Sequence, residues 1–430
     1  MVSRVEKQIS EGYKQTKVGI IPEEWDIKTI GDLTSDVGDG IHSTPVYSST
    51  GTYYFVNGNN IVNGSIKVTD DTKRVDEKEF QKHKKGLSLR TIFLSINGTI
   101  GNLAFYNNEP VVLGKSAAYM NVKEKHSLKY VFYGLQAKST SDFFSDGLTG
   151  STIKNLGLGV IRVTPIPIPV NLEEQTSIAN ALSDVDALIT SLEKLITKKR
   201  AIKTAAMQQL LTGKKRLPPF DKNHTGYKQT ELGEIPEDWE VVDLGDIGKN
   251  IIGLTYSPND VVEYGSLVLR SSNVQNNKLA FENNVFVDMD LPDRVIVKEG
   301  DILVCVRNGS KKLIGKCALI DKKTEGSAFG AFMSIYRTEF SSFIFYQFQS
   351  NIIQRQIDEI MGATINQITN KDMEVFKVPL PNKSDEQIAI ANVLSDMDNE
   401  TDALEQRLKK TQQLKQGMMQ ELLTGRTRLI

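Results

Sequence analysis

The sequence predicts an α+β protein: two mixed α/β domains related by a pseudo-two-fold axis, joined by two long helices packed as an antiparallel coiled coil. Three observations carry that expectation. The chain is one unit written twice, each copy ends in a long amphipathic stretch, and the rest of each copy alternates short β-type runs with Asn/Gly-rich turns.

The repeat is the strongest signal. Gly12–Trp25 (GYKQTKVGIIPEEW) and Gly226–Trp239 (GYKQTELGEIPEDW) agree at 10 of 14 positions, with an offset of 214. Glu173–Leu217 and Asp385–Leu429 agree at 21 of 45 positions, with an offset of 212. Weaker correspondences between these anchors keep their order. Phe55–Ile66 parallels Val268–Leu279, Asn97-Gly98 answers Asn308-Gly309, and Gly150–Pro169 parallels Gly362–Pro381. Boundaries are therefore expected near Pro169, Pro218-Pro219 and Pro381. They divide the chain into a domain at 1–170, a helix at 171–217, a second domain at 218–382 and a second helix at 383–430.

The helices follow from spacing. Ile178, Leu182, Val185, Ile189, Leu192 and Ile196 alternate four- and three-residue steps, and Ile390, Leu394, Met397, Thr401, Leu404 and Leu408 repeat them. That pattern marks a coiled-coil seam. The stripe then shifts phase, picking up Ile202 and Ala206 in one copy and Leu414 and Met418 in the other. Gly213 and Gly425 follow Leu-Leu-Thr, where a C-terminal cap belongs. A helix of about forty residues spans ~60 Å and would expose its stripe if left alone, so the two are expected to pair. In the domains, Tyr53–Val56, Ile92–Ile96, Val111–Leu113, Leu267–Leu269 and Ile302–Val306 read as strands, while Ser127–Ala137 and Ser341–Ile360 read as helical. The Pro-rich runs Pro165–Pro169 and Pro379–Pro381 read as rigid joints.

Composition narrows the function class. Apolar residues make up 39% and charged residues 24%, within the ordinary globular range. No apolar run approaches the ~20 residues of a membrane helix. Met1–Glu11 lacks the apolar core of a signal peptide, and Cys305 and Cys317 stand alone, which predicts a soluble cytoplasmic protein without disulfides or zinc. The net charge of −1 divides unevenly: +3 over 1–170, +3 over 171–217, −6 over 218–382 and −1 over 383–430. Any nucleic-acid contact must therefore use local clusters rather than a global field.

Catalytic signatures are missing. Gly114-Lys115-Ser116 resembles the tail of a P-loop, but Glu109 stands where its first glycine belongs. No GxGxxG motif opens a strand–helix unit. Pro292-Asp293 with Asp321 and Lys323 imitates a nuclease site only loosely, and a turn with a solvated charge run explains it better. His42, His83, His126 and His224 show no metal spacing. The expectation is no catalytic residue, no metal and no cofactor.

The anchors resemble those of the specificity (S) subunits of type I restriction-modification systems. The likeness rests on Tyr13–Trp25 and its copy Tyr227–Trp239, on Gly38–Pro45 (GDGIHSTP), on the Glu-Gln-x-x-Ile-Ala-Asn helix starts at Glu174 and Glu386, and on the Leu-Leu-Thr-Gly helix ends. It covers the whole chain in the expected order. The resemblance implies that each mixed domain is a target-recognition domain reading one half of a split, asymmetric site in double-stranded DNA. It further implies that the helices set the gap and dock adenine methyltransferase subunits, two per chain, and that restriction subunits join the full complex. Methylation and cleavage would belong to those partners, and no membrane is involved. Two readers on a stiff spacer suit half-sites about one turn, ~34 Å, apart on one DNA face.

Base readout favours Arg for guanine and Asn or Gln for adenine, with Ser and Thr less selective. The candidates in the first domain are His42, Ser43, Thr44, Asn57, Asn59, Asn60, Lys84, Lys85, Arg90 and Lys115. In the second they are Arg270, Ser272, Asn273, Gln275, Arg307, Asn308, Lys311 and Lys312. Asn60 and Asn273 are equivalent, as are Asn97 and Asn308, and equivalence points equally to a shared turn. The lysines and arginines suit phosphates, which position without specifying. Trp25 and Trp239 read as core residues. Glu174, Gln175, Glu386 and Gln387 read as helix-start capping first and partner contact second. The competing reading is a non-catalytic tandem-repeat adaptor that binds proteins, favoured by the −6 charge of 218–382.

Overall fold

The computed structural model describes residues 9–150, 154–223, 226–361 and 366–429, so His224 and part of the Gly150/Gly362 correspondence fall outside the described residues. The chain divides into two compact units, residues 1–193 with 406–430, and residues 194–405. Each unit holds a mixed α/β lobe together with part of both long helices.

In the first unit a four-stranded antiparallel sheet runs in the order Leu103–Phe105, Thr91–Ser95, Ala117–Val122, Thr34–Asp39. A smaller sheet places Val111–Leu113 parallel to Tyr53–Val56. The helices Leu128–Gln136 and Lys138–Asp146 follow. The second unit repeats the plan. Its sheet runs Gly248–Ile252, Met333–Thr338, Ile302–Cys305, Cys317–Leu319. Val268 and Leu269 lie parallel to Ala328 and Phe329. The stretch expected to form one helix at Ser341–Ile360 is two, Ser341–Phe348 and Asn351–Ile360, because the Ser350 side chain accepts from the Ile353 backbone and caps a new helix there. The Pro-rich runs are strands rather than joints. Pro165–Pro169 pairs antiparallel with Trp25–Thr29, and Lys377–Pro381 with Trp239–Asp243. A two-stranded sheet tolerates proline because one edge of each strand needs no donor.

The long helices are Leu172–Leu210 and Ser384–Leu422, each 39 residues. Within each unit the two run antiparallel. In the first, Ile178 and Leu182 share a core with Leu422 and Leu423; in the second, Ile390 and Leu394 share one with Leu210 and Leu211. The later part of the apolar stripe holds at Ala206 and Met418, which pack on the two cores, but not one turn earlier. Ile202 and Leu414 are exposed, and Lys203 and Lys415 take the inward positions. Each lysine meets a carboxylate and a tyrosine. Lys203 pairs with Asp398 at 2.6 Å, and the Tyr346 hydroxyl donates to Asp398 at 3.1 Å. Lys415 pairs with Asp186 at 2.7 Å, and the Tyr133 hydroxyl donates to Asp186 at 2.8 Å. Burial and the neighbouring carboxylates raise both tyrosines well above the ordinary phenol range, so both remain donors. Since each tyrosine comes from a lobe and its partners from the helices, these triads fix lobe to helix.

The repeated anchors explain themselves at the helix ends. Gly213 and Gly425 both have φ of +69°. A Cβ on Gly213 would lie 2.4 Å from Pro236, and one on Gly425 would lie 2.5 Å from Pro22. The Ile-Pro-Glu-x-Trp motif therefore packs its proline and its fully buried tryptophan against the Leu-Leu-Thr-Gly helix end. An arginine three residues beyond each glycine closes the joint. Arg216 pairs with Glu386 at 2.6 Å and Asp238 at 2.9 Å, and Arg428 pairs with Glu174 at 2.9 Å and Glu24 at 3.1 Å. Each clasp ties the tail of one long helix to the start of the other within its unit.

Candidate nucleic-acid interface

The structure gathers some candidates and separates others. In the first unit the His42–Thr44 loop is exposed, with His42 Nε2 bonded to Asp39 at 2.8 Å. Gly40 N–H donates to the Ala117 carbonyl and Ile41 N–H to the Leu113 carbonyl, which brings this loop beside Lys115. Ser116 donates to Asn57 Oδ1 at 3.0 Å, and Asn97 Nδ2 donates to the Lys115 carbonyl at 3.3 Å. His42, Asn57, Asn97, Lys115 and Ser116 thus meet where strand Ala117–Val122 begins. Asn59 is exposed nearby in the Gly58–Asn60 turn.

Lys84, Lys85 and Arg90 lie at the other end of that strand. Gly86 accepts from Asn121, and Arg90 donates to the carbonyls of Val122, Lys123 and His126. Five residue steps at ~3.3 Å separate the two ends by about 16 Å. The Arg90 guanidinium is committed to a backbone latch.

The second unit makes the corresponding cluster where strand Met333–Thr338 begins. Asn308 Nδ2 donates to Ser271 Oγ at 3.0 Å. The Arg307 guanidinium lies 5.0 Å from the centroid of the Phe332 ring. Arg270 adjoins this group through Gly330, whose N–H donates to the Leu269 carbonyl. Lys311 and Lys312 are exposed in the short turn that follows. Lys316 bonds the carbonyls of Ser271 and Val274, and its burial lowers its pKa. Gln275 sits on a separate hairpin. The Asn276-Asn277 turn of that hairpin docks on Gln349, and Lys278 pairs with Asp402 on the second long helix.

Asn60 and Asn273 are turn closers in both lobes. Asn57 N–H donates to Asn60 Oδ1 at 3.0 Å and Arg270 N–H to Asn273 Oδ1 at 2.9 Å. Each asparagine then donates onward, to Lys67 and Ala280 respectively, and Asn273 is fully buried. Ser272 is half-buried, with its Oγ unpartnered.

The Asn97/Asn308 equivalence is corrected by one residue. Ile96 N–H donates to the Ser116 carbonyl at 3.0 Å, and Val306 N–H donates to the Phe332 carbonyl at 3.1 Å. Asn97 bridges Asn155, and Arg307 bridges Gln367. The backbone therefore matches Asn97 with Arg307 and Ser116 with Phe332. The Asn-Gly dipeptides drew the sequence comparison out of register.

Glu174, Gln175, Glu386 and Gln387 are all buried. The glutamates hold the arginine clasps rather than capping the helices. Gln175 donates to the Pro169 carbonyl at 2.8 Å and accepts from Ser127 N–H at 2.9 Å, and Gln387 donates to the Pro381 carbonyl at 2.7 Å. Arg216 and Arg428 escaped the sequence reading, although their signal was present: an identical arginine after each helix end, and a repeated acid at each helix start.

A family model described as the type I restriction modification DNA specificity domain matches residues 22–204 and again residues 236–416. The chain belongs to that family. A type I restriction enzyme specificity subunit (MjaVIII) of Methanocaldococcus jannaschii is 26% identical over 97% of this chain and 96% of its own length. The EcoKI specificity subunit of Escherichia coli is 28% identical over 45% of this chain and 43% of its own. Among solved structures, the S subunit of a type I restriction-modification system from M. genitalium superposes with a TM-score of 0.58 at 19% identity, covering 93% of this chain and 96% of that one. The specificity family thus shares this fold. Nothing among these matches supports the protein-binding adaptor reading. No helix among the described residues is long and apolar enough to cross a membrane, and no group of three or more His, Cys, Asp or Glu among them could hold a metal ion.

Proposed function

We propose that the chain is the DNA sequence-recognition subunit of a type I restriction-modification complex acting in the cytoplasm. Residues 1–170 and 218–382 act as target-recognition domains, and 171–217 and 383–430 as the spacer helices. The observation that carries this reading is one scaffold built twice, bearing unlike polar clusters at equivalent strand ends. Equivalent geometry lets both lobes approach DNA in the same way. Unlike side chains then make the bipartite site asymmetric.

In the first lobe His42, Ser43, Thr44, Asn57, Asn59 and Lys115 face the duplex, and in the second Arg270, Arg307, Asn308, Lys311 and Lys312 do so. The lysines hold phosphates. Arg90, Asn60 and Asn273 act by shaping the loops that present these groups. The chain itself is not catalytic. Adenine methyltransferase subunits, two per chain, dock on the helices and carry the methylation, and restriction subunits carry cleavage. Glu174, Gln175, Glu386 and Gln387 serve that docking by fixing the helix ends.

The test is duplex binding by the chain alone and with its methyltransferase. Weak binding by the chain alone, becoming tight, salt-sensitive and site-selective in the complex, is the expected result. Equal affinity of the complex for cognate and scrambled duplexes would overturn it.

A further inference from the structure

Three backbone positions around the interface are equivalent in the two lobes and differ in every side chain. The first lobe carries Asn57, Asn97 and Ser116; the second carries Arg270, Arg307 and Phe332. Matching backbone bonds fix the equivalence: the Asn60 and Asn273 turns, and the Ile96–Ser116 and Val306–Phe332 pairs.

Phe332 is the anomaly. It is 55% exposed, in a tight turn whose Met333 N–H donates back to the Gly330 carbonyl at 2.9 Å. A strand-pairing bond from Val306 holds its carbonyl on the sheet, so the ring cannot turn inward without breaking the register. Arg307 lies over the ring face, at a distance where the quadrupole attracts the cation. The aromatic ring thus holds a guanidinium in place while the cation's donors remain available. Beside them, Arg270 Nε is buried without a partner. In the first lobe the position of Phe332 is a serine spent on Asn57 and on Gly58 N–H.

Resting on the DNA-recognition reading above, we infer that Arg307 and Phe332 form one specificity element of the second lobe. Arg307 reads a guanine through O6 and N7, and Phe332 packs on the C5-methyl of an adjacent thymine. These are the pairings that guanidinium and aromatic groups make in the major groove. Asn97 occupies the Arg307 position in the first lobe and favours adenine there.

Methyladenine mapping in a host carrying the full complex tests this, with wild type, Arg307→Ala, Phe332→Ala and Asn97→Ala chains. Wild type should yield a bipartite motif whose second half contains a G·C pair next to an A·T pair. Arg307→Ala and Phe332→Ala should each relax one position of that half, losing discrimination by about ten-fold or more. The first half and the gap should stay unchanged, which also reports that each variant folds. Asn97→Ala should relax the first half alone. An unaltered second half in both second-lobe variants, or a second half without a G·C pair, sinks the inference and leaves the recognition reading intact. A wild-type methylome with no motif dependent on this chain would sink both.

Discussion

Arg216 has 7% of its surface exposed and Glu386 1%, so their ion pair works in a nearly dry environment. Two bonds to Glu386 and one to Asp238 engage all three guanidinium nitrogens, and together they raise its pKa further. Breaking such a pair leaves an uncompensated buried charge, and Arg216→Ala should destabilise the chain by about 3–5 kcal/mol. Replacing both partners by apolar residues of similar volume (Arg216→Met with Glu386→Leu) should recover most of that loss. Denaturant titration of the single and double variants checks it. A single variant costing no more than the double one would show that the pair is not the buried contact described.

Each long helix depends on how its end is finished. The glycine at each helix end adopts a backbone conformation that a side chain disfavours, and at Gly213 the space for a Cβ is already filled by Pro236. Gly213→Ala should cost more than the ~1 kcal/mol of a left-handed residue alone, because the proline must also move. Gly417, inside the second helix with open space around it, is the contrast. There Gly417→Ala should stabilise by up to about 1 kcal/mol through helix propensity. Thermal unfolding of the two variants should shift in opposite directions. The Tyr–Asp–Lys triads belong to this scale as well, since they attach a lobe to both helices with three side chains.

For the whole molecule, net charge is a poor guide to function. The proposed second recognition domain, 218–382, sums to −6, yet Arg270, Arg307, Lys311 and Lys312 gather around one strand end there. Phosphate contact falls off over a Debye length of roughly 8–10 Å, so the local cluster outweighs the sum. If the paired helices set the gap, matched insertions of a few residues within 191–205 and 403–417 should change the gap length and leave both half-sites as they were. Methylome mapping of a host carrying the insertion reads both quantities at once, and altered half-sites would contradict the spacer role.

The repeat, the two helices, the five strands named from their β-type runs and the family likeness were legible in one dimension. Periodicity and duplication are properties of order along the chain, and they survive without knowledge of contacts. The polar architecture was not legible in that way. Arg216 and Glu386 stand 170 residues apart, and Lys203 and Asp398 stand 195 apart. Lysine at a seam position reads as a phase shift until its carboxylate is in view. The register of Asn97 against Arg307 depended on backbone bonds, because a one-residue slip costs nothing in a sequence comparison but flips every side chain on a strand. Phe332 carries no signal in the sequence, and only the sheet shows it held outward under Arg307. Which side chains meet, and which face solvent, follows from packing across distant segments, and that is where recognition chemistry is assembled.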